Sequence, residues 1–364
     1  MKFSLQKSNI LLKSMNMMIV DLPSPSNIST MWNFGSLAGF CLAIQMITGL
    51  FLAMFYTSDI NSAFSSVDQI MRNVNHGWVT RLIHANGASL MFVCLYIHMG
   101  RSLYYKLFMK KTHMWESGMA IFILSMAAAF FGYILPWGQM SFWGATVITS
   151  LLSAVPMIGH EFVEWIWGGF AVDLPTLTRF FCLHFLTPFI IIAMMMIHLV
   201  LLHVKGSSNP IKLKSNYDKV PMHMYFTSKD FTGFLIILFI MLILVLLWPY
   251  LFMEPDNFLP ANPLSTPAHI QPEWYFLFAY TILRSIPNKF GGVIALVMSL
   301  LIMFMLPLMD KSHLFKTNMK FIFWLFAFTF IILTWIGACP VEMPYELIGK
   351  FVSVMYFMLI IFFF

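Results

Sequence analysis

The sequence predicts an all-α, polytopic membrane protein, and three observations carry that prediction. Of the 364 residues, 60% are hydrophobic and only 10% charged, against about 25% charged in a soluble domain. Eight stretches are free of Asp, Glu, Lys and Arg: 22–58, 82–100, 117–160, 180–204, 231–253, 290–309, 321–341 and 351–364. Their lengths suit spanning helices, which need about 20 apolar residues. Within them the apolar residues run on continuously, without the alternation of barrel strands, so a β-barrel is excluded. The same hydrophobicity excludes disorder. The formal charge of +6 is read as lysines sorted across a bilayer, and no nucleic-acid partner is expected.

Taken in order, the N-terminal segment Met1–Val20 sets Lys2, Lys7 and Lys13 among Leu, Ile and Met. It lacks a small-residue cleavage site and arginine, so it reads as an interfacial amphipathic helix rather than a leader. Trimming the charge-free stretches at turn residues predicts helices over 32–56, 77–103, 114–135, 174–204, 231–249, 289–308, 320–339 and 346–364. The eighth is short and starts near Gly349-Lys350. Residues 136–173, with Pro136, Pro156 and His160-Glu161, are too interrupted to span. So are 250–288, with Pro255, Pro260, Pro263, Pro267, Pro272 and Pro287. Both are rich in aromatics, which predicts ordered, functional loops. The chain divides into an N-terminal unit 1–210 and a C-terminal unit 211–364. Cys41, Cys94, Cys182 and Cys339 lie in apolar stretches without a C-x-x-C and read as buried free thiols.

Charges sort by side. With eight spans, 15 of the 21 Lys and Arg fall on the side of the N-terminus, and 10 of the 15 acids on the other. Basic residues stay on the cytoplasm-equivalent side, which places both termini there. The two interrupted loops are then on the outer side.

Ionisable groups inside a membrane are expensive and usually functional. The second helix carries His84 and His98, the fourth His184 and His198. Each pair is 14 residues apart, which puts both rings on one helix face about 21 Å apart. The two helices run in the same direction, so His84 is level with His184 and His98 with His198. Facing imidazole pairs suit the two axial positions of a haem iron and leave no open site, as electron transfer requires. Four separately hydrogen-bonded histidines is the plainer reading, and the matched spacing and depth argue against it. Zinc fits worse, having no third or fourth ligand at either level. Gly35 and Gly49 on the first helix, and Gly118 and Gly132 on the third, repeat the same spacing. Glycine alone would more often mean helix–helix packing, and the repeated spacing favours room for two macrocycles. Arg81 and Arg101, three residues outside His84 and His98, are placed to pair with haem propionates; snorkelling arginine is the ordinary alternative. Pro188 removes the helical donor to the His184 carbonyl, so a kink is expected.

Specific motifs accompany this pattern: Gly132–Ile148 (GYILPWGQMSFWGATVI), Thr178–Phe181 (TRFF), Pro272–Tyr275 (PEWY) and Phe278–Lys289 (FAYTILRSIPNK). On these motifs the chain resembles, over essentially its whole length, the cytochrome b family of respiratory cytochrome bc complexes (complex III). The resemblance implies two b-type haems, a low-potential one on His84 and His184 and a high-potential one on His98 and His198.

It also implies an outer quinol-oxidation pocket on Tyr133, Met140, Gly144, Ile148, Glu273, Phe276 and Tyr280, built with Pro272, Trp274 and Tyr275. Glu273, a carboxylate in an aromatic setting, is the candidate proton acceptor; a surface Glu is the bland alternative. At the inner side His203 ends the fourth helix and Lys229-Asp230 begins the fifth. His203 and Asp230 could bracket a quinone head and pass it protons. The resemblance adds Ser36 and Ser207 to that pocket. Val220–Tyr225 (VPMHMY) departs from the family pattern at Met222 and Met224, and Glu116 stands where the family has Asn.

The implied activity is that of a catalytic subunit of ubiquinol–cytochrome c reductase. Quinol is oxidised outside, electrons pass inward through both haems, and quinone is reduced inside, contributing to proton translocation. The implied partners are the iron–sulfur (Rieske) subunit, a c-type cytochrome subunit, other complex III subunits, the lipid bilayer and a second copy of the complex. One chain carrying all eight helices, together with the Met- and Phe-rich composition, favours the mitochondrial inner membrane, with both termini in the matrix, over a bacterial plasma membrane. Two competitors remain. A di-haem membrane anchor explains the histidines but not the Pro272–Tyr275 loop. A transporter should show an internal repeat, and only the 14-residue spacing recurs.

Overall fold

A computed structural model describes residues 9–211, 213, 215–308 and 319–363. Its long helices are α1 (Phe34–Ala53), α2 (Gly77–Tyr104), α3 (Thr112–Ile134), α4 (Leu174–Lys205), α5 (Met222–Leu247), α6 (Lys289–Met305), α7 (Met319–Gly337) and α8 (Tyr345–Phe363). Among the described residues, seven helices are long and apolar enough to cross a membrane. They are α1 to α7, with α1 lengthened by the 3-10 turn Thr30–Trp32 and α6 by Leu306–Leu308. The expected eighth span corresponds to α8, which is not among those seven. It begins with Glu346 and Lys350 paired one turn apart at 2.5 Å.

Most predicted boundaries agree with the structure to within a few residues. The fifth does not. It was expected to start at 231, after the charges, whereas α5 opens at Met222, is kinked at the non-helical His223 (φ −89°, ψ 132°), and runs as regular helix from Met224. Asp230 does not break the helix because Asn33 Nδ2 (2.8 Å) and Ser36 Oγ (2.6 Å) both donate to its carboxylate. α4 opens with a reciprocal cap in which Asp173 accepts from the Leu174 N–H and Thr176 closes back on Asp173, with Pro175 in the first turn. It then runs unbroken through Pro188.

α1 packs closely on α2, and α3 on α4, while backbone approach between the two pairs is slight. α5 lies against α1 and α2, and α6, α7 and α8 gather round the short helix Leu277–Arg284. One apolar core runs from Leu37 and Phe92 through Met241 and Tyr275 to Leu333 and Ile360, crossing residue 210 without interruption.

The two outer loops are ordered, as expected. Residues 136–173 hold the helices Gln139–Ser150 and Gly159–Trp167. The 250–288 loop is laced to them: Gln139 N donates to Leu259 O (3.0 Å), Ala261 N to Trp137 O (3.1 Å), and Asn257 Oδ1 accepts from both Ser141 N and Ser141 Oγ. Trp137, Phe142, Leu177 and Phe180 form a second small core beneath this lacing.

The N-terminal segment contains a helical turn Ile10–Met15 and a π-turn Asn16–Val20; Met1 to Ser8, with Lys2 and Lys7, lie outside the described residues, as do Lys212, Lys214, Asp310, Lys311 and Lys316 of the counted inner charges. A short antiparallel ribbon pairs Pro23–Pro25 with Lys219–Pro221. The cysteine expectation is corrected in part. Cys41 and Cys94 are buried, whereas Cys182 is exposed and Cys339 half-buried, because Cys182 lies on α4, the long helix whose surface this chain covers least.

Gly337 ends α7 where an added Cβ would sit 2.6 Å from the Leu277 carbonyl oxygen. Gly337→Val is expected to destabilise the chain by about 1–3 kcal/mol through overpacking, read as a lower thermal midpoint in detergent. Gly169→Ala, where nothing lies within 4 Å, should leave the midpoint unchanged.

Candidate functional site

The four predicted histidines come together in two pairs across the gap between the helix pairs. The His84 and His184 ring centres are 6.1 Å apart, and those of His98 and His198 6.4 Å. A metal bonded to one nitrogen of each ring at about 2 Å, with that nitrogen about 1.1 Å from its ring centre, needs centres about 6.2 Å apart. Both pairs meet that spacing.

Hydrogen bonds orient the rings. Thr48 Oγ1 donates its single proton to Ile44 O (2.7 Å), so it can only accept from His84 Nδ1 at 2.9 Å. Ser117 Oγ donates to Met114 O and accepts from His198 Nδ1, each at 2.9 Å. His184 Nδ1 donates to Ala128 O at 2.8 Å. The partners thus assign the Nδ1–H tautomer to three of the four rings and leave Nε2 bare, the state that ligates a metal. His98 Nδ1 is buried without a partner. Among the described residues no cluster of three or more His, Cys, Asp or Glu is placed to hold a metal ion. Each site is therefore a two-imidazole site, which matches an iron whose other four ligands come from a porphyrin.

The glycines act more directly than expected. The room they leave is taken by the imidazoles. A Cβ on Gly132 would stand 2.4 Å from His184 Cε1, on Gly35 2.9 Å from His98 Cε1, on Gly49 3.1 Å from His84 Cε1, and on Gly118 3.2 Å from His198 Cε1. Each glycine on α1 or α3 is a seat for a ring on its paired helix.

Both predicted arginines lie by the pairs. Arg101 is 8% exposed, its guanidinium 5.2 Å over the Trp32 ring, and its Nε has no hydrogen-bond partner. Arg81 stands close enough to Glu273 to favour that carboxylate's charged form.

Glu273 lines a cleft between α3, the Gln139–Ser150 helix and the outer loop. Of the expected residues, Tyr133, Gly144, Ile148, Pro272, Phe276 and Tyr280 share that lining. Three do not. Met140 is fully buried at 1% exposure, because residues 257–262 lace over its turn of the helix. Trp274 and Tyr275 turn away as anchors: Trp274 Nε1 donates to Ser89 Oγ (3.1 Å), and Tyr275 stacks on Phe92 at 4.1 Å. Gln271, Ile270, Phe130, Ala145 and Val147 also line the cleft and were not expected. Phe130, three before Tyr133, could have been found by helical spacing. Burial pushes the Glu273 carboxyl up to about 7, Arg81 pulls it back, and Glu254 pushes it further.

At the inner side Asp230 is held by Asn33 and Ser36. Asn33 was missed, although it lies three residues before Ser36. Lys229 donates to Ile28 O at 2.9 Å, tying α5 to the N-terminal segment. Among the described residues no hydrogen bond or ion pair joins Asp230 to His203 or to Ser207. Glu116 pairs with His113 at 3.1 Å on an exposed surface, and the Met222 sulfur accepts from Ser24 Oγ at 3.6 Å.

Glu273 generates a pH prediction. Its folded value of about 7 exceeds the ordinary 4.5, so between these the folded chain holds the extra proton and stability falls as pH rises. Infrared titration of the carboxyl should show a midpoint near 7 that drops in Glu254→Gln and rises in Arg81→Leu. A midpoint near 4.5 in the unaltered chain would contradict the burial.

Comparison with known proteins agrees with this geometry. Residues 19–206 match the family model described as Cytochrome b/b6/petB, and residues 260–357 the model described as Cytochrome b(C-terminal)/b6/petD. The fold superposes on a chain of a structure titled "Hyperthermophilic respiratory Complex III" with a TM-score of 0.91, at 33% identity, covering 98% of this chain and 96% of that one. The chain belongs to the cytochrome b family, as a b-haem-binding, membrane-spanning redox subunit of a bc-type complex.

Proposed function

We propose that this chain is the catalytic cytochrome b subunit of a ubiquinol–cytochrome c reductase, oxidising quinol at the outer cleft and reducing quinone at the Asp230 site. The observation that carries the reading is the pair of level imidazole sites with bare Nε2 atoms beside a cleft holding a carboxylate. His84 with His184, and His98 with His198, would each hold one haem through their bare Nε2 atoms. A haem bound to each pair supplies reversible one-electron transfer across the low-dielectric core.

The chain's own residues handle position and protons. Seated in the cleft, a quinol hydroxyl gives its proton to Glu273, whose raised affinity near neutrality suits both accepting and releasing it. Tyr133 and Tyr280 flank the head, and Tyr280 is itself fixed by donating to Ile270 O at 3.1 Å. The Gly144 face, where an added Cβ would meet nothing within 4 Å, leaves room for the ring. At the inner face Asp230 delivers a proton to bound quinone, with Ser36 as its tether and His203 as a second donor reached through quinone or water.

The four-helix unit 1–210 serves the haems, and 211–364 completes both quinone sites. In this reading one electron from each quinol leaves to an iron–sulfur (Rieske) subunit and on to a c-type cytochrome subunit, the complex is a dimer, and the membrane is the mitochondrial inner membrane with both termini in the matrix.

Purified chain should show a b-type spectrum with two haems. His84→Ala should remove one haem and His84→Ala with His98→Ala both; two haems retained in the double variant would overturn the ligand assignment. Glu273→Gln should slow quinol-driven haem reduction at least tenfold, on the usual scale of a lost general base, with the haem spectrum intact. An unchanged rate would exclude Glu273 as the acceptor.

A further inference from the structure

Two cations are buried at the inner end of the helix bundle, and among the described residues no acid pairs with either. Arg101 is 8% exposed and Lys111 7%. They lie near one another, since Arg101 is one of the charges that, with burial and Lys205, bring the Lys111 ammonium down to about 8. Lys111 follows α2 and immediately precedes α3, so it sits at the same membrane face as His98 and His198.

A structural role for Lys111 is partly visible. Its Nζ donates to the carbonyl of Gly206, just beyond the end of α4. Lysine near a helix C-terminus commonly does this. That role does not account for the burial. Lys205, which is exposed, already ties the same two segments by donating to Lys110 O at 3.1 Å. A carbonyl also neutralises no charge, and burying an ammonium next to a guanidinium without a counter-ion is among the least favourable arrangements in a protein. Arg101 tells the same story from the other side. Trp32 covers its face, Nη2 has only a 3.5 Å contact to Ser102 Oγ, and Nε is buried with no partner. A guanidinium edge with free donors and an ammonium beside it form a receptor for a carboxylate.

Arg101 is already expected to pair with a propionate of the inner haem; we propose that Lys111 is a second cation on that same propionate, a positioning residue that sets the haem's potential. The inference rests on the assignment of His98 and His198 as its ligands. Its consequence is electrostatic. Reduction adds a negative charge at the iron, and a buried cation nearby stabilises the reduced form. At the outer pair Arg81 already has a carboxylate neighbour in Glu273, so its charge is partly spent there. Two uncompensated cations on the inner side and one compensated cation on the outer side make transfer from the outer to the inner site downhill.

Redox titration of the haem-loaded protein tests this in the unaltered chain, Lys111→Gln and Lys111→Arg. Glutamine keeps a donor for the Gly206 carbonyl and removes only the charge, so a fold that needs that bond survives. Lys111→Gln should lower the reduced-to-oxidised ratio of the inner haem at a given potential at least tenfold, about 59 mV for one electron. The outer haem should stay in place, and Lys111→Arg should titrate like the unaltered chain. An inner couple that does not move in Lys111→Gln, with both haems bound, would overturn this role for Lys111. So would an inner couple that moves only when anionic lipid is stripped or added, because the anion on Lys111 would then be a lipid phosphate. An unaltered chain that binds no haem would instead overturn the ligand assignment beneath it.

Discussion

The close seating of four imidazole rings on four glycines is the constraint on which the rest of this structure depends. An imidazole turned inward from α2 or α4 needs the width of a missing side chain on the helix packed beside it. Gly49 and Gly35 provide that for α2, and Gly132 and Gly118 for α4. Because ring and glycine come from paired helices, each pair must pack tightly, and α1 with α2 and α3 with α4 do. The pairs then stand apart by the ring-to-ring distance and no less. About one turn from the inner pair, a Cβ added at Gly39 would lie 3.7 Å from the Met195 sulfur, so a thioether fills the space facing α1 at that level. The 14-residue repeat on all four helices is this geometry written in sequence.

Much of the fold was legible because charge is costly in a bilayer, so charge-free runs mark helices. That rule failed where a charge is satisfied locally, as at Asp230, and the regular helix of α5 therefore begins at Met224, well before the expected start. The ribbon joining Pro23–Pro25 to Lys219–Pro221 was not legible at all, since neither segment has strand periodicity and the pairing is long-range. At the site the pairing of the four histidines followed from spacing, but the tautomers did not. Thr48 and Ser117 each stand directly before a ring-seating glycine, a local signal that is clear once their hydroxyls are seen to accept from Nδ1. The PEWY segment shows the limit of a motif. Its four residues split, Pro272 and Glu273 facing the cleft and Trp274 and Tyr275 gripping α2, and only packing decides which does which.

The two ends of the bundle differ in how they treat charge. Outside, Glu273 lies in a mixed field, drawn down by Arg81 and driven up by burial and Glu254, and the balance leaves it near neutrality. A carboxyl there can hold or release a proton with little driving force either way, as a shuttle must. Inside, Asp230 is pinned by two donors, Asn33 and Ser36, which fix its position while the unpinned oxygen keeps its lone pairs. One site is tuned by competing fields and the other by geometry.

This asymmetry extends to the cations. Lysines on the inner side could all have stayed in water, as the bilayer rule alone would have it. Lys111 does not, and its burial cannot be charged to the rule. Nor can helix capping explain it, since exposed Lys205 ties the same segments from the opposite strand of the contact. A fold that buries a second cation where one already lacks a partner is either destabilised for nothing or complementary to an anion it is built to receive. The His98 and His198 rings stand 6.4 Å apart at the same end of the bundle, and the haem proposed for them carries carboxylates, so the unbalanced charge and the imidazole pair have one common solution.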